Sequence, residues 1–367
     1  MRDPVNPAKN RLTANRFYIR DLKKIIGEND DREFKKIVGK TPIKHEFFED
    51  YDGHLLFEGR LKDFFDEPKL TQAKNALRAF IKKAFGKESN KPLPYFALLQ
   101  ADGDRMGTVI DNQKTPDDHK ELSRSLSKFA EDVKAIVEKK ENNGCLIYSG
   151  GDDVLALLPL HTVLDCSREL ADKFADDLKK FEFTKDSETS RPTLSAGIAV
   201  VHHTEPLQES LETMRRAEKE AKSIDGKNAL AIILSKRSGA DTTIKGSWKN
   251  DRDTDKSFDE RLLGFIQLHL DDALPDGVAY ELCDLWLRFS SVPSLKTAME
   301  ADAVRILSRK KSNQGLSKVS KDILVKLEGL IFNRDLSLED LANEIIVARD
   351  FKNAYKQANK QAIGETK

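Results

Sequence analysis

Apolar positions along the chain change their period twice, and each change marks a new kind of structure. Through residues 1–93 they recur at helical spacing, in Phe17 to Ile26 and again in Leu70 to Phe85. Lys91-Pro92-Leu93-Pro94 then breaks the pattern, because a residue before proline is pushed out of the helical region and proline cannot continue a helix. From Tyr95 to Leu234 short apolar runs alternate with longer amphipathic stretches. Tyr95 to Ala101 reads as a buried strand ending in Asp102-Gly103-Asp104. Residues 118–137 put Leu122, Leu126, Phe129, Val133 and Val137 on one helical face. Cys145 to Ser149 and Val154 to Leu158 are two strands joined by Gly150-Gly151-Asp152-Asp153, whose glycines supply the positive φ that a tight turn demands. A helix over residues 163–181, a strand over 193–201, a helix over 207–222 and a strand over 229–234 complete the series.

The order is β-α-β-β-α-β with an added α-β, which predicts an α+β fold with a ferredoxin-like palm. Beyond Lys236 a polar stretch to Ser257 reads as a loop. From Phe258 to Ala358 Leu, Ile and Val return to helical spacing, with Ser337-x-x-Asp340 as a capping box. Three domains are expected: a helical N-terminal segment over residues 1–93, the palm over 94–236 and a helical C-terminal domain over 237–367.

Composition narrows the classes of partner. The chain has 367 residues, of which 34% are charged, yet 62 Lys+Arg balance 62 Asp+Glu. Global charge therefore gives no pull toward nucleic acid. No apolar run approaches the roughly 20 residues that a bilayer span needs, and the N-terminus has no apolar signal core, so neither secretion nor a membrane partner is expected. The 3 Cys (Cys145, Cys166, Cys283) are isolated, which argues against a disulfide framework or a structural zinc and fits a reducing cytoplasm. The 7 His include no His-Asp dipeptide and no H-E-x-x-H, and the pair His202–His203 reads as structural.

The chemistry gathers in the palm. In such a fold the first strand and the central hairpin are sheet neighbours, so Asp102, Asp152 and Asp153 approach one edge. Carboxylates brought together are costly unless a cation offsets them. Hard oxygen donors favour Mg²⁺ or Mn²⁺, with substrate phosphates completing the coordination. Two such ions suit in-line attack of a 3′-hydroxyl on an α-phosphorus. Each motif alone is most often a turn; together, in strand context, they read as a nucleotidyl site. A phosphate cradle is expected from Gly103, Met106 and Gly107, where small residues let main-chain N–H groups approach phosphates. Lys222 and Lys227, at the end of the third helix and the turn after it, are near enough to meet a triphosphate; Lys219 reads as a solvated face.

Four segments carry a family resemblance: Leu99 to Gly107, Tyr148 to Pro159, Leu194 to His202, and Lys227 to Ala231 with the later Lys236 to Gly239. In this order and spacing they resemble the large subunit of type III-B (Cmr-type) CRISPR RNA-guided effector complexes, over roughly residues 60–350. The palm is also similar to diguanylate cyclases, whose Ala-Lys-x-x-Gly-Arg-Asn turn matches Ala221-Lys222 to Gly226-Lys227-Asn228 with one extra residue here. The resemblance implies an antiviral-defence subunit whose palm converts ATP into 3′–5′ linked, cyclic oligoadenylate messengers when guide CRISPR RNA is paired with target RNA. It implies catalytic Asp152 and Asp153, and two Mg²⁺ or Mn²⁺ ions on Asp102, the carbonyl of Gly103, Asp152 and Asp153. Nucleotide contacts are implied at Asp104, Met106, Gly107, Ser149, Gly150, Gly151, Ser195, Lys222 and Lys227. The implied partners are ATP, the other effector subunits and, through them, both RNAs.

Departures are visible too. The family's large subunit commonly begins with a His-Asp nuclease domain and a first palm with a zinc-binding Cys cluster, and this sequence has neither. It reads as a naturally short form or as a fragment with the cyclase half. Two other functions compete: an idle palm scaffold that binds guide RNA and partner subunits, and a stand-alone diguanylate cyclase. Retention of Asp152 and Asp153 weighs against the first. Asp153 in place of the usual Glu, and the long helical C-terminal domain, weigh against the second. With a net charge of zero, the isolated chain is expected to bind RNA weakly, since affinity for phosphate backbones grows with the number of Lys/Arg contacts. Tight, salt-sensitive retardation of RNA by the isolated chain in a gel would contradict this.

Overall fold

In the computed structural model, the described residues are 7–27, 53–85, 92–185, 188–237, 239–250, 256–310, 319–333 and 336–365. Two compact units form, one from residues 1–94 with 357–367 and the other from residues 95–356. In the first, helix α1 (Pro7–Ile26) and helix α2 (Lys69–Phe85) each turn an apolar stripe inward. Tyr18, Leu22, Leu77 and Phe80 bury against one another, and the Tyr18 hydroxyl donates to the Leu55 carbonyl at 2.8 Å.

The second unit is built on a six-stranded sheet in the order β2-β3-β1-β6-β7-β8. Its strands are β1 (Tyr95–Gly103), β2 (Cys145–Gly150), β3 (Asp153–Leu158), β6 (Leu194–His202), β7 (Ala229–Leu234) and β8 (Thr242–Ser247). The small hairpin β4 (Phe183–Lys185) and β5 (Glu188–Ser190) stands apart from it. The first four strands of the order are those of the expected palm, and β1 is antiparallel to both β3 and β6. The parallel β6–β7 pair requires a crossover, supplied by helix α6 (Leu207–Lys222).

Strand alternation assigns the two faces. Ala97, Leu99, Ala101, Val154 and Ala156 look to one side, covered by α4 (Pro116–Glu138) and α5 (Val163–Asp177), where Phe129 and Phe174 meet edge to face at 5.0 Å. Leu98, Ala199 and Val201 look to the other, covered by Met214 of α6. Gly197 permits that second packing: a Cβ there would lie 2.1 Å from the main-chain nitrogen of Glu218, so α6 can rest directly on β6.

Three local expectations change. Residues 242–247 were expected in a loop and instead form edge strand β8; the Thr-Thr-Ile run pairs along β7, where a polar outer strand suits the sheet edge. Met106–Asp111 form a short helix α3 rather than a loop. The second helix of the expected series, α5, stops at Asp177, short of 181. Past the sheet, helices α7 (Phe258–Leu270), α8 (Val278–Phe289), α9 (Lys296–Arg309), α10 (Lys321–Ile331) and α11 (Leu338–Glu365) follow. Ser337 caps α11 through the Asp340 amide at 3.0 Å, as its spacing predicts. The Arg261–Glu344 pair joins α7 to α11 at 2.7 Å. No described helix is long and apolar enough to cross a membrane.

Gly197→Ala should lower the melting temperature by several degrees, because overpacking against main chain costs about 1–3 kcal/mol. Gly264→Ala in α7, where an added Cβ meets nothing within 4 Å, should leave it unchanged or raise it. Calorimetry on the two variants checks the contrast; equal melting temperatures would remove the case for close α6–β6 packing.

Candidate active site

The ladder between β1 and β3 ends at the pair Ala101–Val154. Continuing its antiparallel register sets Asp102 opposite Asp153 and Gly103 opposite Asp152. The second of these is a close contact: a Cβ on Gly103 would fall 2.8 Å from the Asp152 Oδ2 and 2.8 Å from the Asp152 Cβ. Gly103 is therefore glycine because the Asp152 carboxylate occupies the space of its side chain. Gly151 turns the hairpin at φ 65°, a conformation other residues adopt at a cost.

Helix α6 brings positive charge to this edge. The Lys222 ammonium contacts the Asp102 carboxylate and lies 2.8 Å from Glu218 one turn earlier. Burial and the neighbouring Lys227 push the Lys222 ammonium down to about 8. The two carboxylates it touches act the other way, and at contact distance they hold it charged at neutral pH. Burial, and then the charge of Asp153, raise Glu218. Burial followed by Asp153 raises Asp152 above its ordinary 3.8.

Glu218 was not among the expected residues. Its sequence signal is the Glu218-x-x-x-Lys222 spacing, which puts both side chains on one helical face, here the face turned toward β1.

The structure separates the expected nucleotide contacts into two groups. Asp102, Gly103, Asp152, Asp153 and Lys222 come together, and Lys227 is close enough for its charge to act on Asp104, Glu218 and Lys222. Asp104 and Ser195 are buried, at 2% and 0% exposed, and Asp104 lies in the wall of a cavity with Thr193, Gly226 and Asn228. The Ser195 hydroxyl donates to Asp104 Oδ2 at 2.8 Å, because β6 is covered there by α6. Ser149 also turns inward, its hydroxyl donating to the Ala130 carbonyl of α4 at 3.0 Å. Met106 is 9% exposed and, with Gly107, opens α3, so the expected glycine-lined loop is a helical turn preceded by left-handed Arg105 (φ 58°). Gly150 lies under the Tyr148 ring, whose hydroxyl would be 2.3 Å from an added Cβ.

Carboxylate oxygens and the Gly103 carbonyl are hard donors, of the kind Mg²⁺ and Mn²⁺ prefer. Among the described residues, however, no three His, Cys, Asp or Glu side chains converge as a ready-made metal site. The donor set fits such an ion in kind, and further oxygens would have to come from a ligand.

Residues 95–231 match the family described as Cas10/Cmr2, second palm domain. The stretch from β1 into β7 is thus similar to that domain. The CRISPR system Cmr subunit Cmr2 of Pyrococcus furiosus (strain ATCC 43587 / DSM 3638 / JCM 8422 / Vc1) is 34% identical over 202 residues, an alignment covering 48% of this chain and 22% of that relative. The chain thus matches about a fifth of that protein's length. Among solved structures, the type III-B Cmr-beta apo-state cryo-EM structure aligns over 94% of this chain and 46% of its own, with 13% identity and a TM-score of 0.49. Csm1 of T. onnurineus aligns over 71% and 38%, with 14% identity and a TM-score of 0.44.

The raised Asp152 carboxyl has a pH consequence. It keeps its proton to higher pH in the folded than in the unfolded chain, so the stability it contributes is present at low pH and lost as pH rises through the folded value. Divalent-ion binding needs the ionised form and should weaken on acidification while pH is still above 3.8. Free Mn²⁺ followed by electron paramagnetic resonance from about pH 8 down to about pH 4 should show this step, and Asp152→Asn should remove it. A wild-type midpoint at or below the ordinary carboxylate value would contradict the burial assigned to Asp152.

Proposed function

We propose that this palm is the nucleotidyl-transfer domain of the large subunit of a type III CRISPR effector complex, and that it joins ATP into 3′–5′ linked, cyclic oligoadenylates when target RNA is bound. The observation that supports this most is the apposition at Gly103, where the absent side chain lets the Asp152 carboxylate stand against the end of β1 beside Asp102. Asp102, Asp152, Asp153 and the Gly103 carbonyl would hold Mg²⁺ or Mn²⁺, up to two ions. A bound ion there supplies Lewis-acid charge to phosphate oxygens and to an attacking 3′-hydroxyl.

The chain's own residues do the rest. Lys222 and Lys227 bind the triphosphate as charge-assisted donors. Lys222 reaches it by exchanging its carboxylate partner for a phosphate. Guide and target RNA engage the chain through neighbouring subunits, in keeping with its balanced charge.

A second reading, an idle palm that serves as scaffold, draws support from the Lys222–Asp102 contact, which already gives Asp102 a cation from the chain itself. One assay separates the readings. The assembled complex, with and without target RNA, is incubated with labelled ATP or GTP and Mn²⁺, and products are identified by mass spectrometry. Oligoadenylates are expected only with target RNA, and they should vanish in the Asp152→Ala/Asp153→Ala double variant while the complex still assembles. Lys222→Ala or Lys227→Ala should each raise the apparent KM for ATP roughly tenfold to a hundredfold, since a charge-assisted bond contributes about 1.5 to 3 kcal/mol. Equal yield from the double variant would overturn the catalytic assignment, and a cyclic dinucleotide from GTP would favour the diguanylate cyclase alternative.

A further inference from the structure

The turn between α6 and β7 is held in an unfavourable backbone shape. Gly226, Lys227 and Asn228 have φ of 79°, 55° and 52°, so two non-glycine residues in succession lie in the left-handed region. Such residues cost on the order of 1–2 kcal/mol each and persist only where the surroundings over-determine them.

The surroundings here converge on Asn228. Its amide donates to Asp104 Oδ2 at 3.0 Å, and its carbonyl accepts from the Trp248 amide at 2.9 Å and from the Ser247 hydroxyl at 3.3 Å. Asp104 is itself anchored. Its Oδ2 also accepts from Thr193 Oγ1 and Ser195 Oγ, each at 2.8 Å, and its own amide donates to the Thr193 carbonyl at 2.7 Å. One buried oxygen thus binds the start of β6 and the α6–β7 turn to the residue that follows the Asp102-Gly103 end of β1. The other oxygen, Oδ1, is buried with no hydrogen-bond partner among the described residues.

We propose that Asp104 is a positioning residue: by holding the Asn228 amide it keeps the turn in its left-handed path and so directs Lys227, and the end of α6 with Lys222, toward the carboxylates at the end of β1. This rests on the reading of Lys222 and Lys227 as phosphate-binding groups. It gives Asp104 a role distinct from the ligand contact its place in the Asp102-Gly103-Asp104 motif suggests.

The experiment uses the full chain with Asp104→Asn, which keeps the volume but puts an amide group where three donors converge, and Thr193→Val, a milder change that removes one hydroxyl from the same oxygen. Two quantities are read: hydrogen exchange at the Asn228 amide, with Leu98 and Ile198 as internal controls, and the Kd for ATP. Loss of a hydrogen bond to a charged acceptor should speed Asn228 exchange by roughly tenfold to a hundredfold in Asp104→Asn, and by less in Thr193→Val, with the control amides unchanged. The Kd should rise about as far as in Lys227→Ala, and the Asp104→Asn/Lys227→Ala double variant should bind no more weakly than Lys227→Ala alone. Unchanged Asn228 exchange in both variants overturns the proposal. So does a double variant whose losses add, which would make Asp104 a group acting independently of Lys227. Faster exchange with an unaltered Kd in Asp104→Asn and in Lys227→Ala alike would confirm the tether and defeat the phosphate-binding reading, so the two failures are told apart.

Discussion

Everything at the site depends on β1 being hydrogen-bonded along both of its edges. A strand paired on one side can slip or bend; paired with β3 and β6 together, its register is set twice over. The consequence appears at its last residues. Asp102 stands beside Ser195 on one neighbour and, by continuation of the ladder, beside Asp153 on the other, while Gly103 meets Asp152. A shift of one residue in either ladder would turn Asp102 to the α4 and α5 face and place its charge in the Phe129–Phe174 core. The register that buries Leu98 and Leu99 on opposite faces is therefore the same register that collects the carboxylates.

The second constraint is the absence of side chains at Gly197 and Gly103. Each is a place where another element lies where a Cβ would be: the main chain of α6 at Gly197 and the Asp152 carboxylate at Gly103. The first lowers α6 onto the sheet and carries Glu218 and Lys222 to the edge; the second lets the hairpin close on β1. Packing and electrostatics are thus not separable here, because the close approach that the glycines allow also desolvates Asp152 and Glu218 and raises both.

Much of this was legible in the sequence, for reasons that can be located. The alternation of period from Tyr95 to Leu234 yields the strands and helices in order, since each palm strand is a short apolar run bounded by glycine, proline or polar residues. Asp102 and the Gly150 to Asp153 turn could be placed together because the palm topology leaves them as neighbours. What was hidden has a common cause. β8 is a polar edge strand, too exposed to show an apolar run, and its place depends on β7 rather than on its own pattern. Ser195 and Asp104 look like site residues in a motif, but their burial is decided by α6 lying across β6, a tertiary contact that no local spacing records. Glu218 went unrecognised because a glutamate four residues before a lysine is the commonest of solvated helix pairs. Its 13% exposure comes from the sheet beneath it.

The charges at this edge do not balance, and the imbalance organises the chemistry. Asp102, Asp152, Asp153 and Glu218 are four carboxylates, against the ammonium groups of Lys222 and Lys227. The structure answers the deficit in two ways at once: Lys222 is drawn into contact with Asp102, and Asp152 and Glu218 hold their protons more tightly than exposed carboxylates do. A bare triphosphate entering such a place would deepen the deficit. On the function proposed for the palm, it must therefore arrive with cations of its own or displace the ammonium groups from the carboxylates. Either course couples nucleotide binding to the ionisation of Asp152 and Glu218, because a proton and a cation relieve the same crowding of negative charge and compete for the same oxygens. The Lys222 contact with Asp102 is then the form that relief takes without a nucleotide, and the exchange of that partner for a phosphate is the local rearrangement that binding requires.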